Sequence, residues 1–122
     1  MRLFLMVFGL LTLASCTSKE QRAADVLKAD VANKMKDPES SRFSKLKFHL
    51  SMLCGEVNAK NSFGAYAGAE PFTASSVSAQ LRSEAEAIDA NLAGAKIADK
   101  SRFTRIFDSK WEQCQRGGVV VE

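Results

Sequence analysis

The stretch FSKLKFHLSMLCGEVNA, residues 43–59, decides the fold. Its first half alternates apolar and polar side chains, which is the pattern of a strand with one buried face. The apolar positions of that alternation are Leu46, Phe48 and Leu50. Two strands are therefore predicted, over residues 43–50 and 53–59, with a turn near Ser51 and Met52.

Two residues of this stretch depart from a regular pattern. Phe43 has the opposite parity to Leu46, which predicts a bulge or a late start in the first strand. Gly55 shares a predicted face with Leu53, and a glycine inside a strand is typical of a close approach by another part of the chain.

Helical periodicity flanks the predicted hairpin on both sides. Apolar residues recur every four positions over residues 21–36, which predicts a helix that stops before an Asp-Pro dipeptide. The same spacing predicts two more helices, over residues 79–93 and 102–115, the last with Ser101 or Asp99 as its N-cap.

The remaining segments complete the predicted fold. A short strand is predicted over residues 69–74, where Pro71 would confine it to a sheet edge or delay its start. The tail, residues 117–122, is either frayed or a small added strand. Together the elements predict an α+β fold: an N-terminal helix, a small antiparallel sheet of about three strands, and one or two C-terminal helices packed on one face.

Composition excludes some classes of function. The chain has 122 residues, is 46% hydrophobic and 25% charged, and carries a formal net charge of +3. These values fit one globular domain, and so small a charge indicates no nucleic acid partner. We interpret Arg42, Lys45 and Lys47 as a solvated sheet face, and place Glu86 and Asp89 on the solvent side of the second helix. One histidine and two pairable cysteines predict no metal or cofactor site, and we assign no catalytic residue.

The first residues have the pattern of an export signal. Arg2 is followed by an uncharged apolar run over residues 3–13, which is shorter than the roughly 20 residues that cross a bilayer. Leu13-Ala14-Ser15-Cys16 then resembles the lipobox of bacterial lipoproteins, which implies cleavage before Cys16 and acylation of that residue. The alternative is an ordinary secretory signal that leaves Cys16 as a spare thiol.

The lipobox resemblance implies a location and an order of segments. Acylated Cys16 would attach the chain to the lipid bilayer of the cell envelope, and Thr17 resembles the outer-membrane sorting pattern of Gram-negative lipoproteins. The expected segments are a signal peptide at residues 1–15, a lipidated tether at 16–20, a single domain at 21–116 and a flexible tail at 117–122.

The other two cysteines predict a disulfide. An exported domain with Cys54 and Cys114 has an even number of thiols in an oxidising compartment, which favours pairing. The alternative is a catalytic thiol at Cys54 with His49 as its base. We disfavour it because no third residue is placed to orient the histidine.

Two motifs together resemble a known group of proteins. MKDPESSRF, residues 35–43, and CGEVNAKNSFGAYAG, residues 54–68, are similar to elements of small exported bacterial proteins that join KDPxSxxF to CGxVNAKNSFGxYxG, often with a late cysteine. That group has no function to transfer, so the resemblance implies the fold and the disulfide alone. Residues 75–98 depart from its pattern as an insertion, and the connection between the first two strands is short.

The second motif also contains the best candidate for a functional surface. Its loop, residues 58–68, combines aromatic, amide and cationic side chains that suit recognition of a partner: Asn58, Lys60, Asn61, Phe63 and Tyr66. The alternative is a structural loop in which both aromatic rings fold inward. The predicted function is a non-enzymatic, membrane-anchored interaction module for another envelope protein or a wall component. The alternative function is a cell-wall hydrolase or an inhibitor of one.

Overall fold

The computed structural model describes residues 18–93 and 101–122, so the predicted export signal and Cys16 lie outside the described residues. Three helices, one short 3₁₀ turn and five strands follow one another along this part of the chain. In order they are α1 (Lys19–Ala32), the 3₁₀ turn (Pro38–Ser40), β1 (Arg42–His49), β2 (Met52–Asn58), β3 (Glu70–Ala74), β4 (Ala79–Leu81), α2 (Arg82–Ala93), α3 (Arg102–Gly117) and β5 (Val119–Val120).

The strands form one antiparallel sheet in the order β4-β3-β2-β1-β5. The predicted α+β class is confirmed, and the sheet has two strands more than the predicted three. β4 occupies residues that the periodicity assigned to the second helix, because three residues are too few to display a strand pattern. Of the two alternatives for the tail, the structure has the added strand, and Val121 behind it is buried.

Helices cover both faces of the sheet. Leu53 and Val57 of β2 pack in a core with α1. Cys54, which points to the opposite face, is bonded to Cys114 of α3. α2 lies beside α3, so the two C-terminal helices share one face, as predicted, and α1 takes the other.

α1 starts where its first turn is capped. The Ser18 hydroxyl accepts a hydrogen bond from the backbone N–H of Gln21 at 3.0 Å, so the helix begins two residues earlier than predicted. Ala24, Leu27 and Val31 are its buried residues, at the spacing of one helix face. The helix ends at Ala32, four residues before the predicted end, because the chain then tightens into turns ahead of the 3₁₀ turn.

A bulge interrupts β1, as the parity of Phe43 predicted. Ser44 pairs with Glu56 and Lys47 with Cys54, so Lys45 and Leu46 together face the single residue Gly55. The extra residue brings Phe43 back to the Leu46 face, where its ring meets Phe72 edge to face at 5.7 Å.

α3 satisfies backbone groups at this bulge. The carbonyl of Lys45 accepts a hydrogen bond from Gln115 Nε2 at 2.8 Å, and that of Gly55 accepts one from Trp111 Nε1 at 3.0 Å. A Cβ atom on Gly55 would lie 2.8 Å from both a methyl carbon of Leu46 and the carbonyl oxygen of Ser44. The predicted close approach at Gly55 is therefore confirmed.

The expectation for Pro71 is wrong in its placement of the strand. β3 includes Pro71 and lies inside the sheet, between β2 and β4. Pro71 is tolerated there because β4 pairs only with residues 72–74, so it has no partner on that side at this position.

The N-terminus of α3 corrects two further expectations. Ser101 is the N-cap by position, but its side chain makes no capping hydrogen bond. Instead the Asp89 carboxylate of α2 accepts from the backbone N–H groups of Phe103 at 3.0 Å and Thr104 at 2.8 Å. Asp89 is buried and does not lie on the solvent side of α2, because it supplies the cap for its neighbour. Asp99 lies outside the described residues.

Candidate functional site

The 58–68 loop joins β2 to β3 and folds as a miniature hairpin. Lys60 pairs with Tyr66 across it, and the N–H of Asn61 donates to the carbonyl of Ala65 at 2.8 Å. The N–H of Gly64 donates to the carbonyl of Asn61 at 3.0 Å, which closes a tight turn at the tip. The loop therefore has a backbone scaffold of its own beyond the sheet.

Its two asparagines hold that scaffold together. Asn61 Oδ1 accepts from the N–H groups of Phe63 at 2.9 Å and Ala65 at 3.2 Å, while Asn58 Oδ1 accepts from Gly68 at 3.1 Å. Both oxygens were predicted to recognise a partner, and both are instead used within the loop. This side-chain bonding to nearby backbone is the usual turn-forming role of asparagine.

Tyr66 folds against the preceding motif. Its hydroxyl donates to the carbonyl of Ser40 at 3.2 Å, and the guanidinium carbon of Arg42 lies 4.2 Å from the centre of its ring. Ser40 Oγ accepts from the N–H of Lys60 at 2.8 Å. The two motifs noted in the sequence thus contact each other directly, and Tyr66 has the inward, structural role that was the stated alternative.

The ring of Phe63, unlike that of Tyr66, points into solvent. Phe63 is 94% exposed at the tip of the loop, although its own backbone N–H and that of Ala65 both donate to Asn61 Oδ1. Arg42 and Lys60 both lie against the ring of Tyr66, and among the described residues neither forms an ion pair with a carboxylate. Of the residues predicted for recognition, Phe63 is therefore the exposed aromatic side chain, and Tyr66 lies between the cations of Arg42 and Lys60.

Sequence reasoning did not place Ser40 and Arg42 in contact with the loop. They lie about twenty positions before the loop, and one strand hairpin separates them from it. The available signal was the joint occurrence of the two motifs, which is what direct packing between them would require.

The structure bears on the two enzymatic alternatives, a catalytic thiol at Cys54 and a hydrolase. Cys54 is bonded to Cys114, with an S–S distance of 2.05 Å, so Cys54 has no thiol for catalysis. A shallow cleft of about 220 Å³ lies between β3, α2 and α3 and contains the carboxylates of Asp108 and Glu112. Asp108 is ion-paired with Arg82 at 2.8 Å, and Arg82 also contacts Glu86.

The perturbed carboxylates of α2 have structural partners. Desolvation raises the pKa of Asp89, but hydrogen bonds from Thr104 and Phe103 and the charge of Arg105 outweigh it, so the pKa is lowered. Desolvation likewise raises the pKa of Glu84, and bonds from Lys34 and from the N–H of Leu81 reverse the sign. Both groups are held ionised as caps at helix N-termini, which is the opposite of a general acid.

The described residues contain neither a metal-ligand cluster nor a membrane-spanning helix. Residues 18–93 and 101–122 contain no cluster of three or more potential metal ligands. Across the same residues, no helix combines the length and the hydropathy needed to cross a bilayer.

Comparisons with known proteins assign no family to this chain. A scan against protein-family models, a search of curated proteins and a search of solved structures found no match to this chain. A function for this chain therefore has to be inferred from its loop, its cleft and its sequence motifs.

Proposed function

We propose that this chain is a lipid-anchored protein of the bacterial cell envelope, most simply of the outer membrane. It acts without catalysis and binds another envelope protein or a wall component through the 58–68 loop. The observation that carries this proposal is the exposure of Phe63 on a loop that is already ordered. The anchoring part rests on the lipobox ending at Cys16.

Burial of Phe63 by a partner would release apolar surface from water. A phenylalanine moved from full exposure to full burial contributes about 2 kcal/mol. The loop loses little conformational freedom on binding, because Asn58 and Asn61 already fix its backbone. An exposed aromatic side chain on a rigid support is the usual form of a binding hot spot.

The charges beside Phe63 indicate the chemistry of the partner. Arg42 and Lys60 place two cations around Tyr66, whereas Lys45 nearby is neutralised by Glu56 at 2.8 Å. A partner with an apolar pocket bordered by carboxylates fits this arrangement. Acidic groups are available both on proteins and on wall polymers.

Photo-crosslinking in cells tests the loop. A benzophenone amino acid placed at Phe63 in the full chain should give one discrete adduct with an envelope component. The same group at Ser109, an exposed position on α3, is the matched control and should give none.

Phe63→Ala should leave the melting temperature nearly unchanged, since an exposed side chain contributes less than about 0.5 kcal/mol to the fold.

Two results would count against the loop. Identical adducts at both positions would show that Phe63 is no contact, and a large drop in stability for Phe63→Ala would show that the ring is part of the core. Release of soluble fragments from purified sacculi, abolished by Asp108→Asn or Glu112→Gln, would favour the hydrolase instead.

A further inference from the structure

A second apolar surface lies at the other end of the sheet. The turns β1–β2 and β3–β4 lie at the same end, because the strands are antiparallel and consecutive. Between these turns and α1 lies a groove of about 530 Å³, lined by Ala23, Val26, Leu27, Asp30, Phe48, Ser51 and Ser76. Three side chains stand out around it: Val26 is 65% exposed, Leu50 82% and Val77 90%. We call Val26, Leu50 and Val77 the apolar rim.

The fold does not account for the apolar rim. Leu50 and Ser51 are the two central residues of a tight hairpin turn, with φ of 47° and 64°. Such turns favour Asn-Gly, and a leucine in this conformation is both strained and left in water. Asparagine at position 50 would adopt this positive φ with less strain. We therefore attribute the leucine to a role of its side chain outside the core.

The position of the lipidation signal identifies the surface that covers the rim. α1 begins at Lys19 with Ser18 as its cap, and Cys16 precedes Ser18 by only two residues. Two residues span at most about 7 Å. Val26 lies eight residues beyond Ser18, or about 12 Å along the helix. A lipid on Cys16 therefore holds the start of α1 and the groove beside it close to the bilayer surface.

We infer that the apolar rim is a lipid-facing surface that rests in the headgroup region of the membrane carrying the anchor. This inference rests on the proposed lipidation of Cys16. Serines and Asp30 alternate with apolar groups in the groove lining, which is the amphipathic character that an interfacial contact requires.

The consequence is a fixed orientation of the domain. β2 runs from the rim end at Met52 to the loop end at Asn58, six intervals of about 3.3 Å, or roughly 20 Å. With the rim on the membrane, the 58–68 loop points away from it, and Phe63 is presented to the opposite side. Anchor and recognition loop thus occupy opposite ends of one sheet.

Tryptophan quenching by brominated lipid measures this orientation. The full chain is purified from membranes and placed in phosphatidylcholine vesicles whose acyl chains carry bromine, with unbrominated vesicles as the reference. Leu50→Trp and Val77→Trp should lose emission and shift to the blue in brominated vesicles. The matched control, Phe63→Trp, should match the wild-type chain, whose single tryptophan is Trp111.

Intact mass on the same preparations separates the two proposals. Loss of residues 1–15 with three acyl chains on Cys16, combined with quenching at positions 50 and 77 alone, supports both. An acylated chain with no quenching at either rim position, or with equal quenching at position 63, overturns the lipid-facing surface and leaves the anchor intact. A chain without acyl groups overturns the anchor and the inference together. Two rim reporters are used so that a folding defect in one, detected by its melting curve, does not decide the result.

Discussion

Asp89 shows how one residue can serve an element to which it does not belong. Its carboxylate caps α3 from α2, across residues 94–100 of the chain. The spacing of apolar residues predicted that Asp89 lies on the solvent side of α2. That error follows because helical periodicity describes one helix at a time and contains no contact between helices. The same limit applies at the loop. Composition identified Phe63 and Tyr66 together, but only the position of Ser40 in three dimensions separates the exposed ring from the bonded one.

The lowered pKa of Asp89 predicts a dependence of stability on pH. A carboxylate with a pKa lowered by folding contributes stability above its ordinary value of 3.8, and loses that contribution as pH falls through the folded value. Asp89→Asn should therefore lower the melting temperature at pH 7, and the difference from wild type should shrink below pH 3.8. Thermal melts across this range test it. Glu112→Gln, at an exposed position of α3, is the control, and a gap of constant size at all pH values would contradict the prediction.

At the scale of elements, the β1–β2 hairpin was the most predictable part of the chain. Alternation predicted both strands, and the parity of Phe43 predicted a bulge or a late start, of which the structure has the bulge. The residues of β4 were assigned to the second helix, and β5 was one of two alternatives for the tail, since two or three residues carry no periodicity. Their pairing depends on neighbours that are distant in sequence, which local patterns do not contain.

Gly55→Ala tests the contact of the bulge with β2. The new Cβ would lie 2.8 Å from the carbonyl oxygen of Ser44, and a backbone atom cannot move aside as a side chain can. We expect a loss of about 2 kcal/mol in the free energy of unfolding, measured by urea denaturation. Gly64→Asn is the control, because that position has open space and a φ of 75° that asparagine tolerates. Equal midpoints for Gly55→Ala and wild type would show that the bulge can relax.

For the whole molecule, the disulfide is the feature that the sequence predicted most fully. Pairing the two cysteines that follow the predicted export signal was sufficient, and Cys54–Cys114 links the central strand to α3. What the count does not contain is the arrangement of layers. α1 lies alone on one face, and α2 and α3 lie on the other, because successive residues of β2 point to opposite faces. Which helix each face of β2 meets is settled only when the sheet forms.

Removal of the disulfide should be costly for a domain of this size. The bond closes a loop with a sequence separation of 60 residues. Chain entropy assigns such a loop about 4 kcal/mol of stabilisation. The double variant Cys54→Ala/Cys114→Ala should lose about that amount in urea denaturation, and a reductant should shift wild type toward it while leaving the variant unchanged. A wild-type midpoint that does not respond to reductant would contradict the prediction.

The two outer strands of the sheet limit how this molecule can meet a partner. β4 has three residues and β5 has two, so each of these outer strands itself presents very few backbone donors and acceptors. Proteins that bind by strand addition need a longer free border for an incoming peptide to pair with. Short outer strands also give little template for copies of the chain to polymerise edge to edge. Crowding of copies on one surface would then not by itself turn β4 or β5 into a nucleus for fibres.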